Sequence, residues 1–222
     1  MTRSLTALAL LAVVAISACS TTAVGSTPSP SGAPSTAPST ATGPCPASQP
    51  EALAAGEKRL VTIETAKGSF AITVEADLSP IAAGNFVALA TCGFYDGVVF
   101  HRVVPQFVIQ GGDGENGRAP NVEPALVGTG GPGYTISDET VTAIYGRGVV
   151  AMARTAQPDS VGSQFFIVLD DEARGSLEAA NTYQIIGAVI AGMEVADAIA
   201  AAADAEIPSD PIVMNDVSVA NP

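Results

Sequence analysis

The side chains best suited to chemistry lie in the stretch Phe100–Asp113. Arg102 is a charged residue embedded among apolar ones, and Phe107 and Gln110 follow it at strand spacing. An apolar core that tolerates a few polar groups would not explain an arginine with no acid nearby, because an unpaired buried charge is costly. We interpret the guanidinium as a fixed hydrogen-bond donor beside apolar side chains.

A second stretch adds further polar and aromatic groups. Val150–Arg154 leads through a loop containing Pro and Asp to Gly162–Ile167, which includes Gln164 and Phe166. Together the two stretches supply a guanidinium, a pair of amides and several aromatic rings, without a strong base or nucleophile. Such a set suits holding an apolar segment against one donor and does not suit cleaving a bond.

Other kinds of site find little support. His101 is the only histidine, and a hydrolase would need it as a general base beside a nucleophile. It lies inside the apolar run Val98–Val104, where a structural histidine is more common. Gly128–Gly133 has dinucleotide-binding spacing but follows no predicted strand and opens no helix, so we interpret it as a surface loop. Asp113–Gly117 lacks the spaced oxygen ligands of a calcium loop, and we predict no metal.

The chain is strongly acidic, with 22 acidic and 9 basic residues and a formal net charge of −13. Nucleic-acid binding depends on clustered Lys and Arg, so we predict no nucleic-acid partner. The same charge disfavours electrostatic docking on anionic lipid. We attribute the acidity itself to solubility.

The N-terminus has the features of an export signal. Arg3 precedes the apolar run Leu5–Ile16, which is too short to span a bilayer but matches the apolar part of a signal peptide. The segment Ile16–Cys19 resembles a bacterial lipobox, in which Cys19 is acylated and becomes the first residue. An ordinary signal peptide with an incidental cysteine is the alternative. We therefore expect residues 1–18 to be removed, and the exported protein to be held at the extracytoplasmic face of the cell membrane by its lipid alone.

Residues 19–58 are predicted to form a stalk behind the lipidated cysteine. Ser20–Pro44 is almost entirely Ser, Thr, Pro, Ala and Gly, with too few large apolar residues to offset the entropy of ordering. In an exported protein the two remaining cysteines, Cys45 and Cys92, suggest a disulfide, with two free thiols as the alternative. The folded domain is predicted to span residues 59–222.

Period-two alternation dominates the chain from Leu60 onward. A helix is predicted from Ser79-Pro80, with Ser as the N-cap and Pro as the first helical residue, to Gly93, and a second from Met193 to Ala203. Many short strands with two helices favour a β-barrel that is closed to hide its edges and filled by side chains, so a site must lie on its outside. Strands are predicted at Val61–Thr65, Phe70–Glu75, Val98–Val104, Phe107–Gln110, Val149–Ala153, Phe165–Leu169, Gln184–Val189 and Ile212–Val219.

The two chemistry-bearing stretches closely resemble the cyclophilin family of peptidyl-prolyl cis-trans isomerases. The resemblance rests on the motifs FHR…P.F.IQGGD and MA…GSQFFI, together with Gly93–Gly97 before the first, and it covers roughly residues 61–219. It implies a mainly β fold, a closed eight-stranded antiparallel barrel capped by two α-helices. It also implies a monomer that acts on proline-containing polypeptides without a metal, cofactor or covalent intermediate.

The resemblance assigns roles to individual residues. Arg102 is predicted to be the catalytic guanidinium, Phe107 the floor of the proline pocket, and Gln110 a polar group that orients the peptide. The predicted substrate-binding residues are His101, Val108, Ala153, Arg154, Gln164, Phe166, Leu177 and Tyr183.

Several positions depart from the family's usual residues. Val108 replaces a usual Met, Arg154 stands where Asn is common, and Gln106 replaces a frequent Gly. The usual Trp is absent, and Leu177 is its best substitute; Tyr183 stands where His often does. These changes bear on cyclosporin affinity and substrate preference more than on the catalytic centre.

The sequence therefore predicts a peptidyl-prolyl cis-trans isomerase that acts on X-Pro bonds during the folding of exported proteins. The alternative is a catalytically weak module that binds proline peptides or scaffolds proteins of the cell envelope. The presence of Arg102, Phe107 and Gln110 together favours the enzyme.

Overall fold

The computed structural model describes residues 43–222, and the predicted signal peptide, Cys19 and most of the predicted stalk lie outside the described residues. In this part of the chain no helix is long and apolar enough to cross a membrane. The strands are β1 Lys58–Thr65, β2 Gly68–Glu75, β3 Phe100–Val104, β4 Val108–Gly111, β5 Val149–Met152, β6 Phe165–Val168, β7 Ile185–Ala191 and β8 Met214–Ala220; the helices are α1 Pro80–Thr91, α2 Arg174–Ala180 and α3 Met193–Ala202.

The eight strands form one antiparallel sheet in the order β3-β4-β6-β5-β7-β2-β1-β8. The end strands β3 and β8 do not pair with each other; the two ends of the sheet meet at the bridge Val99–Val213 and at neighbouring backbone hydrogen bonds. The sheet is therefore a curled half-barrel, and the predicted full closure was slightly overstated. The eight strands and the mainly β fold are confirmed.

The structure contains a third α-helix that the sequence did not indicate. Helix α2 has only seven residues, including Gly175, and only Leu177 on it is buried. So short a segment shows no helical periodicity, and its position depends on packing rather than on intrinsic propensity.

Helix α1 begins at Pro80, as predicted, but Ser79 does not cap it through its side chain. The hydroxyl of Ser79 is buried and has no hydrogen-bond partner among the described residues. Instead the carboxylate of Glu139 accepts hydrogen bonds from the backbone N–H groups of Ile81 and Ala82, both at 2.9 Å. An acidic side chain at this position also interacts favourably with the helix dipole. The helix is capped by a residue from a distant loop.

Glu139→Ala is expected to lower the free energy of unfolding by about 1–2 kcal/mol, because the first turn of α1 loses its cap. The melting temperature should fall by about 3–6 °C in a chain of this size. Ser79→Ala is the matched control, and it should change the melting temperature little because the Ser79 hydroxyl has no hydrogen-bond partner within residues 43–222. Thermal unfolding by circular dichroism measures both melting temperatures. A larger fall in Ser79→Ala than in Glu139→Ala would contradict the assignment of Glu139 as the cap.

The interior of the half-barrel is filled with apolar side chains. Phe86, Tyr95 and Phe165 pack with ring centroids 5.1–5.6 Å apart and are fully buried. A second, smaller apolar cluster includes Val108, Phe166 and Leu177. It gathers side chains from β4, β5, β6, α2 and β7, and it forms the apolar part of the site described below.

Residues 43–57 contain no helix or strand, but they lie against the folded domain. Leu53 N–H donates to Pro80 C=O (3.1 Å), and Ser137 N–H donates to Gln49 Oε1 (2.9 Å). A Cβ atom at Gly84 would collide with the carbonyl oxygen of Glu51. Cys45 and Cys92 form a disulfide with their Cα atoms 5.1 Å apart. A disulfide and hydrogen bonds thus hold residues 43–57, a segment with few large apolar residues, against the domain.

Candidate active site

Arg102, Gln110 and Phe166 form a row across three neighbouring strands. Arg102 is the register partner of Gln110, and Gln110 is the register partner of Phe166. Register partners lie on the same face of a sheet, so the strand pairing brings the three side chains together. The next residues along these strands point into the barrel and are fully or almost fully buried: Val103, Ile109 and Ile167.

The predicted apolar pocket residues belong to one cluster. Phe166 packs edge-on against Tyr183, with ring centroids 5.3 Å apart and an interplanar angle of 87°. Phe107 lies at the surface of the cluster and remains partly exposed, so its ring is available to an apolar ligand. The other predicted members of the cluster are Val108, Ala153 and Leu177.

Tyr145 supports this apolar cluster, and sequence reasoning missed it. Its hydroxyl donates to the carbonyl of Tyr183 (2.9 Å) and accepts from the N–H of Tyr183 (3.1 Å). Burial raises the pKa of Tyr145 to about 12, so the phenol keeps its proton and can make both bonds. Because Tyr145 and Tyr183 are far apart in sequence, no local pattern indicates that they contact each other.

Arg102 is partly exposed and, contrary to the sequence-based expectation, has an acid beside it. Its Nε donates to Glu206 Oε1 at 2.7 Å, and the two side chains are 35% and 61% exposed. Its two terminal nitrogens donate no hydrogen bond to any protein group within residues 43–222. The guanidinium is therefore held at Nε and keeps its outer donors free.

The two glutamine side chains form a chain of hydrogen bonds. Gln110 Nε2 donates to Gln164 Oε1 (2.9 Å), and Gln164 Nε2 donates to the carbonyls of Gly128 (2.9 Å) and Gly130 (2.8 Å). The amide of Gln164 thus uses its donors within the protein. Gln110 keeps one N–H and its carbonyl oxygen for another partner.

A groove of about 670 Å³ adjoins these glutamines, and the glycine-rich loop 128–133 lines it. Arg154 also lines the groove, but only 9% of its side chain is exposed. Its guanidinium pairs with Asp138 (2.8 Å) and donates to the carbonyls of Thr155 and Gln157. Arg154 is therefore a fixed wall of the groove.

His101 and Asp113 lie behind the groove rather than in it. His101 is 3% exposed, no described residue bonds its ring nitrogens, and burial lowers its pKa, which favours the neutral ring. Its contact with a peptide remains a prediction, since its side chain is covered. Burial raises the pKa of Asp113, but backbone N–H donors from Asn116, Gly130 and neighbouring residues outweigh it and hold the pKa below its ordinary value. Oδ2 of Asp113 accepts from the N–H groups of Gly128 and Gly130 and thus organises the loop that lines the groove, while Oδ1 accepts from the N–H of Asn116.

The site combines a partly exposed guanidinium, an amide with one free N–H and an apolar cluster with Phe107 at its surface, an arrangement suited to binding a peptide rather than cleaving it. The family model described as cyclophilin type peptidyl-prolyl cis-trans isomerase/CLD matches residues 60–219. The chain belongs to this family, and it is a peptidyl-prolyl cis-trans isomerase.

Individual relatives agree with this assignment. A probable peptidyl-prolyl cis-trans isomerase of Brucella abortus is 36% identical over 157 residues, which cover 70% of this chain and 78% of the relative. Peptidyl-prolyl cis-trans isomerase A of Dickeya dadantii is 33% identical over 177 residues, covering 76% and 88% of the two chains. A Cryptosporidium parvum cyclophilin type isomerase superimposes with a TM-score of 0.61 at 29% identity, covering 74% of this chain and 99% of the other. A further structure of that isomerase was solved in the presence of the dipeptide Ala-Pro.

Proposed function

We propose that the protein accelerates rotation about X-Pro bonds of exported polypeptides, and that Arg102 stabilises the transition state. The planar amide opposes rotation with a barrier of about 18–20 kcal/mol. Rotation without a catalyst takes tens to hundreds of seconds, which is slow enough to limit folding. An acceleration of about 10⁵ requires the barrier to fall by about 7 kcal/mol.

The proposed mechanism uses a bond that forms mainly in the twisted state. When the amide loses conjugation, the proline nitrogen becomes pyramidal and gains a lone pair, to which Arg102 donates. This bond is weak in the planar ground state, so it lowers the barrier rather than merely strengthening binding. Phe107, Val108 and Phe166 hold the proline ring and exclude water, while Gln110 holds the peptide carbonyl.

The observation that carries the proposal is the free outer edge of the Arg102 guanidinium beside the apolar cluster. Its terminal nitrogens have no partner within residues 43–222, and partly exposed Phe107 offers an apolar surface for a proline ring. The Ala-Pro dipeptide used with the Cryptosporidium parvum isomerase supports a proline-containing peptide as the ligand.

A protease-coupled assay on a proline-containing peptide tests the activity directly. The purified full chain should accelerate the slow cis-to-trans phase in proportion to its concentration. A chain that binds the peptide but leaves that phase unchanged would instead be the binding or scaffold module.

We further propose that Cys19 carries lipid and tethers the enzyme at the extracytoplasmic face of the membrane. Cys19→Ser is expected to abolish acylation and normal processing, because the acyl chain is attached to the thiol. Each buried methylene of an acyl chain contributes about 0.8 kcal/mol, so in the processed protein the acyl chains would supply the membrane anchor. Mass spectrometry of the native N-terminal peptide is the measurement. An unmodified Cys19 in the native protein would contradict the proposal, and Cys45→Ser is a control that should keep its lipid.

A further inference from the structure

The loop between α3 and β8 places Glu206 against Arg102 through both its main chain and its side chain. The carbonyl of Glu206 accepts from Val103 N–H at 2.8 Å, while its Oε1 accepts from Arg102 Nε at 2.7 Å. Two consecutive residues of strand β3 are thus held by one residue of the loop. The backbone hydrogen bond fixes the main chain of Glu206 beside Arg102.

The loop itself is held in a defined shape. Ser209 donates to the carboxylate of Asp204 from its N–H (2.9 Å) and from its hydroxyl (2.6 Å), which closes the turn around Glu206. Pro208 is buried against the end of the barrel, and Phe100 N–H donates to Ile212 C=O at 2.9 Å. Glu206 is therefore presented by an anchored loop, although its own side chain is exposed.

We infer that Glu206 is a positioning residue for Arg102, an inference that rests on the proposed function. An arginine carries its five N–H donors in one rigid plane, so a bond at Nε fixes the direction of the four outer ones. A charge-assisted bond to a carboxylate is short and directional, which suits this task. Glu206 orients the donors that meet the proline nitrogen, and it touches neither the peptide nor the rotating bond.

The ion pair between Glu206 and Arg102 is exposed, so removing Glu206 should have little effect on folding. Exposed ion pairs contribute little to stability because water and salt screen them. A stabilising role and a positioning role therefore predict different outcomes: the first changes the melting temperature, and the second changes turnover at constant melting temperature.

Glu206→Ala is expected to lower kcat by about two- to fivefold with KM unchanged, the range that an exposed charged pair supports. Glu206→Gln should recover at least half of the loss, because its amide oxygen can still accept from Nε. Asp210→Ala is the matched control: it removes another exposed carboxylate of this loop, one without a hydrogen bond or ion pair among the described residues, and should leave kcat unchanged. In the nitrogen NMR spectrum, Arg102 Nε–H should exchange faster with water in Glu206→Ala than in the wild type.

The double variant separates this inference from the proposed function. If Glu206 acts through Arg102, Glu206→Ala should have no further effect in the Arg102→Ala background. Unchanged or increased kcat in Glu206→Ala, or an equal loss in the Arg102→Ala background, would overturn the positioning role alone. Wild-type turnover in Arg102→Ala would instead contradict the proposed mechanism itself, whatever Glu206→Ala does.

Discussion

Arg102→Ala is expected to lower kcat by about 10²–10³, the usual effect of removing one preorganised donor to a transition state. The variant should remain folded, since Arg102 is partly exposed and its pair with Glu206 is an exposed one. KM should change little, because the bond to the proline nitrogen forms mainly during rotation. The protease-coupled assay gives kcat/KM, and exchange NMR on a saturating peptide separates the two constants.

Two further variants make this prediction specific. Arg102→Lys keeps the charge but loses the planar donor edge, so it should recover only a minor part of the activity. Arg59→Ala is the matched control, because Arg59 is another partly exposed arginine and pairs with Glu57 at 2.8 Å. Arg59 lies on β1, a strand that is not a neighbour of β3. Arg59→Ala should keep full turnover. A folded Arg102→Ala with near-wild-type kcat would contradict the mechanism.

Most strands were predictable because their signal is local. The β1–β2 hairpin pairs Lys58 with Glu75 and Thr65 with Gly68, and its alternation of buried and exposed residues is visible in the sequence. A strand buried on one face must alternate with period two, so the pattern itself shows the strand. The degree to which the barrel closes was not predictable in this way, because it depends on how the two ends of the sheet meet at Val99 and Val213.

Contacts between remote residues account for what the sequence did not reveal. Glu139 caps α1 across 58 residues, and Glu206 reaches Arg102 across 104. Neither acid lies in a motif, and neither differs locally from the many other acids of this chain. The motif residues Arg102, Gln110 and Phe166 came together because strand register aligns them, whereas their partners depend on loop geometry.

The site thus divides into a part that sequence motifs locate and a part that only the fold supplies. The groove residues Gln164 and Arg154 were found by motif, yet the structure shows how each is used: Gln164 ties the glycine-rich loop, and Arg154 is locked by Asp138. Their proposed contacts with a peptide stay predictions. The residue type sets how many hydrogen bonds a side chain can make, but only the donors and acceptors not already used within the protein are available to a ligand.

Loss of the Cys45–Cys92 disulfide is expected to lower the free energy of unfolding by up to about 4 kcal/mol, and the melting temperature by about 10 °C. The cross-link closes a loop with a sequence separation of 47, so it removes many conformations from the unfolded chain. Thermal unfolding with and without reductant measures the loss. The double variant Cys45→Ser, Cys92→Ser is the control, and reductant should not change its melting temperature.

The disulfide also holds residues 43–57 against the C-terminal end of α1, so its reduction should affect this segment most. After reduction, the remaining bonds of the segment, such as Leu53 N–H to Pro80 C=O and Ser137 N–H to Gln49, must hold it alone. Leu53 N–H should then exchange with solvent faster, while kcat at moderate temperature stays near wild type because Arg102 and the apolar cluster lie on other elements. Thiol counting on unreduced, denatured Cys19→Ser protein tests the bridge itself. Two reactive thiols would rule it out, and none would establish it.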